Sequence, residues 1–158
     1  MFERVLVPLD GSKVGESALP VIEQLIEKCS PSVKVEITLL GVITLLRHWV
    51  VVGEASAPVS YTEEELKLIR DRVLDYLEKT GESLKKRGIT IKTMVTTGNA
   101  AEEILKAAGE INADLIAMST HGRSGLRRLA FGSITDKILH GASIPVLMVR
   151  APEGTINE

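Results

Sequence analysis

Residues 115–135 read LIAMSTHGRSGLRRLAFGSIT, and this stretch decides the fold. An apolar run from Leu115 to Met118 stops in a loop with glycines at 122, 125 and 132, and Ser133 then begins a helical pattern. A strand, a glycine-rich loop and a helix start, in this order, build a phosphate cradle, because backbone N–H groups can approach an anion there. From the glycines alone, a tight turn between strand and helix is an equally open interpretation.

The rest of the chain alternates predicted strands with predicted helices. Apolar runs predict strands over residues 5–9, 33–43, 89–96, 114–118 and 145–149. Helical spacing and capping residues predict helices over residues 14–28, 62–87, 99–110 and 133–141. Thr62 and Glu65 form a predicted capping box, Asn99 is a predicted cap, and Gly88 is expected to end the second helix. Pro20 predicts either a kink in the first helix or a helix that begins near it, and Ser12 and Ser17 are candidate caps. Residues 44–60 show no clear period and are expected to form the longest loop.

This alternation predicts an α/β fold with an open five-stranded parallel sheet and helices on both faces. The arrangement expected is Rossmann-like or flavodoxin-like, with strand order 3-2-1-4-5. No linker-like composition interrupts the chain, so residues 1–150 are expected to form a single domain. Residues 151–158 are expected to form a frayed C-terminal tail.

Composition limits the classes of partner. The chain has 158 residues, a net charge of −2, 44% hydrophobic and 25% charged residues, which is ordinary for a globular protein. Neither nucleic acid nor a membrane is expected as a partner, because there is no basic excess and few aromatic residues. Cys29 is the only cysteine, so an internal disulfide is impossible, and a cytoplasmic location is expected.

Two loops are expected to meet at one edge of the sheet. The sequence Asp10-Gly11-Ser12 follows the first strand, and Ser119 to Ser133 follows the fourth. In open α/β sheets, ligands bind beyond the carboxyl ends of the strands, where the strand order reverses. If these strands are central neighbours, both loops open on one crevice that suits a nucleotide, although such an Asp more often only stabilises its turn. Neither a Walker loop nor a G-x-G-x-x-G fingerprint is present, so the loop has a different design.

The chain resembles the universal stress proteins of the adenine-nucleotide-binding kind, which have an adenine nucleotide α-hydrolase-like fold. That family carries a G-x-x-G-x9-G-[ST] signature, and the matching positions here are Ser119, Gly122, Gly132 and Ser133. The phrases VLVPLDGS near the N-terminus and MSTHGRSGLRRLAFGSITDKIL before PVLMVR are also similar, so the resemblance covers essentially the whole chain. Ser119 departs from the signature glycine, and serine fits there only if the backbone avoids positive φ.

The resemblance implies a nucleotide site built from both loops. Asp10 would accept hydrogen bonds from the ribose, Val42 would pack on the adenine face, and Ser133 would donate to the terminal phosphates. The implied site residues are Pro8, Leu9, Asp10, Val42, Met118, Ser119, Gly122, Arg123, Gly132, Ser133, Ile134 and Thr135, with Gly98 nearer the ribose edge. The implied ligand is ATP, with Mg²⁺ or Mn²⁺ bridging its phosphates.

The predicted function is that of an ATP-binding regulatory protein in a stress response. No nucleophile or orienting partner accompanies His121, and no carboxylate pair marks a metal site, so the expected activity is at most slow ATP hydrolysis. A homodimer is expected through the edge strand from Pro145 to Val149. The alternative is a nucleotide-independent dimeric interaction module whose site is impaired by Ser119. A nucleotide α-hydrolase or ligase is a weaker interpretation. Such enzymes typically need an S-G-G-x-D-S type loop after the first strand, and this chain has Leu9-Asp10-Gly11-Ser12 there.

Overall fold

The computed structural model describes residues 2–28, 34–45, 48–52, 55–59, 61–120, 132–152 and 155. Its strands are β1 (Arg4–Leu9), β2 (Glu36–Ile43), β3 (His48–Val52), β4 (Ala55–Val59), β5 (Thr90–Thr97), β6 (Leu115–Thr120) and β7 (Val146–Arg150). Its helices are α1 (Lys13–Glu16), α2 (Ala18–Glu27), α3 (Glu63–Lys86), α4 (Ala100–Glu110) and α5 (Ser133–Gly141).

Five of the strands form one parallel sheet in the order β5-β2-β1-β6-β7. Numbered along the chain among themselves, these five strands have the order 3-2-1-4-5, so the predicted topology is confirmed. Each crossover between parallel neighbours contains at least one helix, as parallel pairing requires.

Helices cover both faces of this sheet, as predicted. Leu19 and Ile22 of α2 and Leu77 of α3 pack on one face. Ile104 of α4 and Ile138 of α5 pack on the other. The central strands β1 and β2 are buried on both sides and therefore read as continuous apolar runs in the sequence.

The local signals for two helix starts and one helix end are confirmed. Thr62 Oγ1 accepts from Glu65 N at 3.2 Å while Thr62 N donates to Glu65 Oε2 at 2.8 Å, which is the predicted capping box. Asn99 Oδ1 accepts from Glu102 N at 3.3 Å. Helix α3 ends just before Gly88, whose φ of +83° favours glycine.

The first helix differs from the prediction of one helix over residues 14–28. Ser17 separates α1 from α2, and its N–H donates to Val14 O at 3.1 Å to close the first helix. Pro20 lies in the first turn of α2, where a helix needs no N–H at that position. Of the two predicted caps, Ser12 caps α1 and Ser17 makes no side-chain cap.

The prediction of a loop over residues 44–60 is wrong, because this segment contains an antiparallel hairpin of β3 and β4. Val52 pairs with Ala55, so two residues separate the strands, the spacing typical of a tight hairpin. The β-branched run Val50 to Val52 favours a strand, although it has no alternating pattern.

Several predicted boundaries shift by a few residues. Strand β2 begins at Glu36, since Lys34 and Val35 are not in the strand, and Val33 lies outside the described residues. Strand β7 runs from Val146 to Arg150. Ala151, expected to begin the frayed tail, is buried and donates its N–H to Thr120 O at 3.1 Å.

Among the described residues, no helix combines the length and apolar character needed to cross a bilayer. The cytoplasmic location and the division at residue 150 stay predictions.

Candidate functional site

The predicted crevice would lie at the carboxyl ends of β1 and β6, the neighbouring strands from which the chain winds outward in opposite directions. Their ladder pairs Val5 with Leu115 and Leu6 with Ile116, and it ends there although both strands continue. Asp114 N donates to Arg4 O, so the backbone N–H and C=O groups of the even-numbered residues of β1 point toward β6. Pro8 is such a residue and has no N–H, which explains why the ladder stops and the strands separate at this edge.

Asp10 stabilises the turn that follows β1. Its Oδ1 accepts from Ser12 N at 3.0 Å and from Ser12 Oγ at 2.6 Å. Gly11 between them has a φ of +82°, a conformation that favours glycine. The Asp10 side chain is exposed, and its Oδ2 has no hydrogen-bond partner among the described residues. The turn therefore uses one carboxylate oxygen and leaves the other without a partner among the described residues.

Gly15 is a residue that the sequence reasoning missed. A Cβ built at this position would lie 2.5 Å from Asp10 Oδ1, so a side chain here would displace the carboxylate. Gly15 N donates to Ser12 Oγ at 2.9 Å and thereby caps α1. A glycine within a helical stretch was the signal that could have revealed this close approach.

Ser119 joins the end of β6 to α1. Its Oγ donates to Gly15 O at 3.1 Å, so the hydroxyl points toward the β1 side of the crevice. Among the described residues, Asn112 is the one non-glycine with a positive φ, so Ser119 has a negative φ. The condition under which a serine fits in place of the signature glycine is therefore met.

Helix α5 begins at the same edge, because it follows β6 and returns to the start of the parallel strand β7. Its N-cap, Gly132, has φ −59° and ψ 155° and supplies no capping side chain. Asp136 N donates to Gly132 O, which leaves the N–H groups of residues 133–135 without a helical partner. By contrast, Ser12, Thr62 and Asn99 cap other helices with their side chains.

The start of α5 is also accessible. No described atom lies within 4 Å of a Cβ built on Gly132. Ser133 and Ile134 are exposed, whereas Thr135 is buried, so its hydroxyl belongs to the underside of the helix. A helix start with free donors and roughly half a positive charge is suited to an anion.

Apolar side chains lie beside the crevice on one face of the sheet. Val42 and Met118 belong to the core layer beneath α4 and α5, and Val42 is only partly buried. Leu9 belongs to the opposite core layer, so its backbone, and not its side chain, can line this face. Gly98, at the end of β5, has a φ of +154° and donates its N–H to Ile43 O at 3.0 Å.

Part of the predicted site lies outside the described residues, namely Gly122 and Arg123, together with His121. For the described part, the fold brings Pro8, Leu9 and Asp10 together with Met118 and Ser119 at neighbouring strand ends. No group of three or more His, Cys, Asp or Glu side chains in this part is arranged to hold a metal ion.

Behind α1, a polar contact reaches α3. Tyr76 Oη donates to Glu16 Oε1 at 3.1 Å, and Lys13 Nζ pairs with Glu16 Oε2 at 2.9 Å. Burial, and next the negative charge of Glu16, raise the pKa of Tyr76 well above its ordinary value. This contact ties α1 to α3, while Ser119 ties it to β6.

A groove of about 690 Å³ lies near this contact, between α2 and α3. Its lining mixes both charge signs with hydroxyls and apolar groups, including Lys13, Glu23, Lys79 and Thr80. Neither Asp10 nor a residue of β6 lines it, so this groove is separate from the crevice at the strand ends.

The sequence model of the universal stress protein family matches residues 1–150. The chain belongs to the universal stress protein family. The predicted family is thereby confirmed. This universal stress protein is 28% identical to YxiE of Bacillus subtilis over 150 residues, which cover 95% of this chain and 100% of YxiE. It is also 28% identical to MJ0577 of Methanocaldococcus jannaschii, over 95% of this chain and 96% of that protein.

Solved structures of other proteins share the fold of this universal stress protein. The structure of MJ0577 matches with a TM-score of 0.70 at 24% identity and covers 98% of this chain and 99% of that chain. The Arabidopsis thaliana protein At3g01520, solved with AMP bound, matches with a TM-score of 0.61 at 17% identity, over 99% of both chains. A universal stress protein solved in complex with cAMP also matches at 0.61 and 17% identity, over 96% of this chain and 98% of that chain.

Proposed function

We propose that this universal stress protein binds an adenine nucleotide, with ATP as the primary ligand, in the crevice between the ends of β1 and β6, and that it acts as a regulatory protein in a stress response. The observation that carries the proposal is the start of α5 beside the switch point of the sheet, where three backbone N–H groups have no capping side chain among the described residues. The fold relatives with bound AMP and cAMP support the adenine class of ligand.

Each part of the nucleotide has a counterpart in the crevice. The free Oδ2 of Asp10 would accept a hydrogen bond from the ribose, while Val42 and Met118 would pack on the adenine. The backbone of Pro8 and Leu9 would lie along the edge of the base. These are the groups that a nucleoside needs, an acceptor beside an apolar surface.

The phosphates would lie at the start of α5. The N–H groups of Ser133, Ile134 and Thr135, with the Ser133 hydroxyl, form a donor set that fits the oxygens of a polyphosphate. No described atom fills the space beside Gly132, so a ligand would be able to approach the backbone there. Gly122 and Arg123 complete this set in the family resemblance. Phosphate oxygens of ATP would hold the bridging Mg²⁺ or Mn²⁺.

Regulation by binding, with at most slow hydrolysis, agrees with the chemistry of the described residues. Asp10 is the carboxylate at the crevice edge, and one of its oxygens is already engaged by Ser12. A fast phosphoryl transfer needs a group that positions the attacking water and several charges on the transferred phosphate. In the first turn of α5 lies the carboxylate of Asp136, whose Oδ1 is 3.5 Å from His140 Nδ1 of the same helix, and we assign it no such role.

We also propose a homodimer through the outer edge of β7. Pro145 O accepts from Ile116 N, and Ala151 N donates to Thr120 O. The backbone N–H and C=O groups of the odd-numbered residues along this strand therefore point toward β6. Val146, Met148 and Arg150 therefore direct their backbone groups outward. An unpaired row of this kind can pair with the same strand of a second copy about a two-fold axis.

The experiment begins with protein purified without added nucleotide. Denaturation followed by chromatography identifies any retained adenine nucleotide, and titration calorimetry of stripped protein compares ATP, AMP and GTP. We expect binding of ATP, weaker binding of AMP and no binding of GTP. If the stripped protein takes up no adenine nucleotide, the proposal fails, and the alternative of a nucleotide-independent interaction module is favoured.

A further inference from the structure

We infer that Ser119 is a positioning residue, whose hydroxyl fixes α1 and through it holds the carboxylate of Asp10 at the crevice. The inference rests on the proposed function and names a determinant of affinity within that site. It assigns a favourable role to the one residue that departs from the family signature.

Hydrogen bonds from both strand ends meet at Gly15, one on its carbonyl oxygen and one on its amide. Ser119 Oγ donates to Gly15 O at 3.1 Å, and the amide of Gly15 donates to Ser12 Oγ at 2.9 Å. The Ser12 hydroxyl in turn donates to Asp10 Oδ1 at 2.6 Å. Each hydroxyl acts as a donor toward the next group, so the donors and acceptors of these hydrogen bonds are consistent.

Helix α1 needs such support because it has only four residues. A helix of this length has little stability of its own, and its position depends on contacts with the rest of the fold. Tyr76 of α3 contacts it through Glu16, and Ser119 of β6 contacts it through Gly15. The buried side chain of Val14 keeps α1 on the core, so loss of either polar contact would loosen the helix without unfolding it.

The position of Gly15 controls the carboxylate of Asp10 directly. A Cβ on Gly15 would lie 2.5 Å from Asp10 Oδ1, so the glycine backbone and the carboxylate are in close contact. A small shift of this peptide therefore moves the turn that orients Asp10. Ser119, 104 residues away in sequence, holds Gly15 by its carbonyl oxygen, in the peptide that follows the one bound to Ser12.

This inference and the impaired-site alternative predict opposite changes in the ATP affinity of Ser119→Gly. If Ser119 blocks the site, Ser119→Gly restores the family residue and strengthens binding. If Ser119 positions Asp10, both Ser119→Gly and Ser119→Ala weaken binding. A hydrogen bond of ordinary strength corresponds to about fivefold in affinity.

The test measures ATP affinity by titration calorimetry for wild type, Ser119→Ala, Ser119→Gly and Ser119→Thr. We expect about fivefold weaker binding for the alanine and glycine variants and near wild-type binding for threonine, which keeps the hydroxyl. Ser143→Ala, an exposed serine near the amino end of β7, is the matched control and should bind as wild type does. In an Asp10→Asn background, Ser119→Ala should have a much smaller effect, because its action passes through Asp10.

A second measurement needs no nucleotide. Exchange of the Gly15 amide hydrogen should be about fivefold faster in Ser119→Ala than in wild type and unchanged in Ser119→Thr. Unchanged exchange, tighter binding by Ser119→Gly or a full effect in the Asp10→Asn background would overturn the inference. If wild type binds no adenine nucleotide while Gly15 loses protection in Ser119→Ala, the proposed function fails and the positioning of α1 stands.

Discussion

Gly132→Asp should separate phosphate binding from folding. Gly132 has the extended backbone of an N-cap residue, φ −59° and ψ 155°, which aspartate adopts readily. No described atom lies within 4 Å of its Cβ position, so the new side chain has room. The aspartate would cap the free N–H groups of α5 and put a negative charge where the phosphates are proposed to lie.

The two effects have opposite signs. Replacing glycine with a capping aspartate should stabilise α5 by about 0.5 to 1 kcal/mol, from the cap and from the helix dipole. A phosphate about 4 Å from the carboxylate would be repelled by about 1 kcal/mol in bulk water and about 4 kcal/mol at a protein surface. We therefore expect ATP affinity to fall by a factor between about 5 and about 1000.

Urea denaturation and titration calorimetry together test this prediction. Gly132→Asn is the matched control, because it caps α5 without a charge and should weaken ATP binding less. The difference between the two variants should shrink as salt is added, since screening weakens the repulsion. If Gly132→Asp keeps wild-type affinity for ATP while it folds normally, the phosphates do not bind at the start of α5.

Further predictions address packing, pH and assembly. Gly81→Ala should lower the free energy of unfolding by about 1 kcal/mol, because the new Cβ would lie 2.8 Å from Ile91 Cγ2. Gly109→Ala, where no described atom lies within 4 Å of the Cβ position, should raise the free energy of unfolding by about 0.5 kcal/mol. Equal effects of the two variants in urea denaturation would contradict this prediction. Burial and the charge of Glu16 raise the pKa of Tyr76 above 10.0, so the folded chain keeps a proton that the unfolded chain loses, and stability falls as pH rises above that value. The fall should be less steep in Tyr76→Phe, and parallel curves of unfolding free energy would refute the assignment. Met148→Pro removes an outward N–H of β7 and should convert a dimer to a monomer in sedimentation velocity, while a monomeric wild type at micromolar concentration would exclude the dimer.

Local chemistry explains why much of the fold was predictable. The capping box at Thr62 and the cap at Asn99 act within three residues, and the helix end at Gly88 depends on its own backbone. The buried strands β1 and β2 read as apolar runs because both of their faces are covered. These signals need no knowledge of distant contacts.

The missed features depend on particular pairings of residues. The hairpin of β3 and β4 is joined by a two-residue spacing and has no alternating pattern, so a search for periodicity overlooks it. Gly81 lies within a predicted helix, where glycine lowers helix stability. The fold shows that Ile91 and Leu39 pack against this position and leave little room for a side chain.

The site was predictable in its parts but not in its internal connections. The strand ends and the start of α5 follow from the sequence pattern, whereas the bond from Ser119 to Gly15 joins residues 104 positions apart. Sequence spacing carries no information about such a contact. As a result, Ser119 could be recognised as a departure from the signature without its structural role.

The most direct test of the phosphate site is a titration of ¹⁵N-labelled protein observed by NMR. ATP should produce its largest amide shifts at Ser133, Ile134 and Thr135, because their N–H groups would donate to the phosphates. Adenosine, which lacks phosphates, should shift residues near Asp10 and Met118 and leave the start of α5 unchanged. If ATP binds and those three amides do not move relative to adenosine, the phosphates bind elsewhere and the account is contradicted.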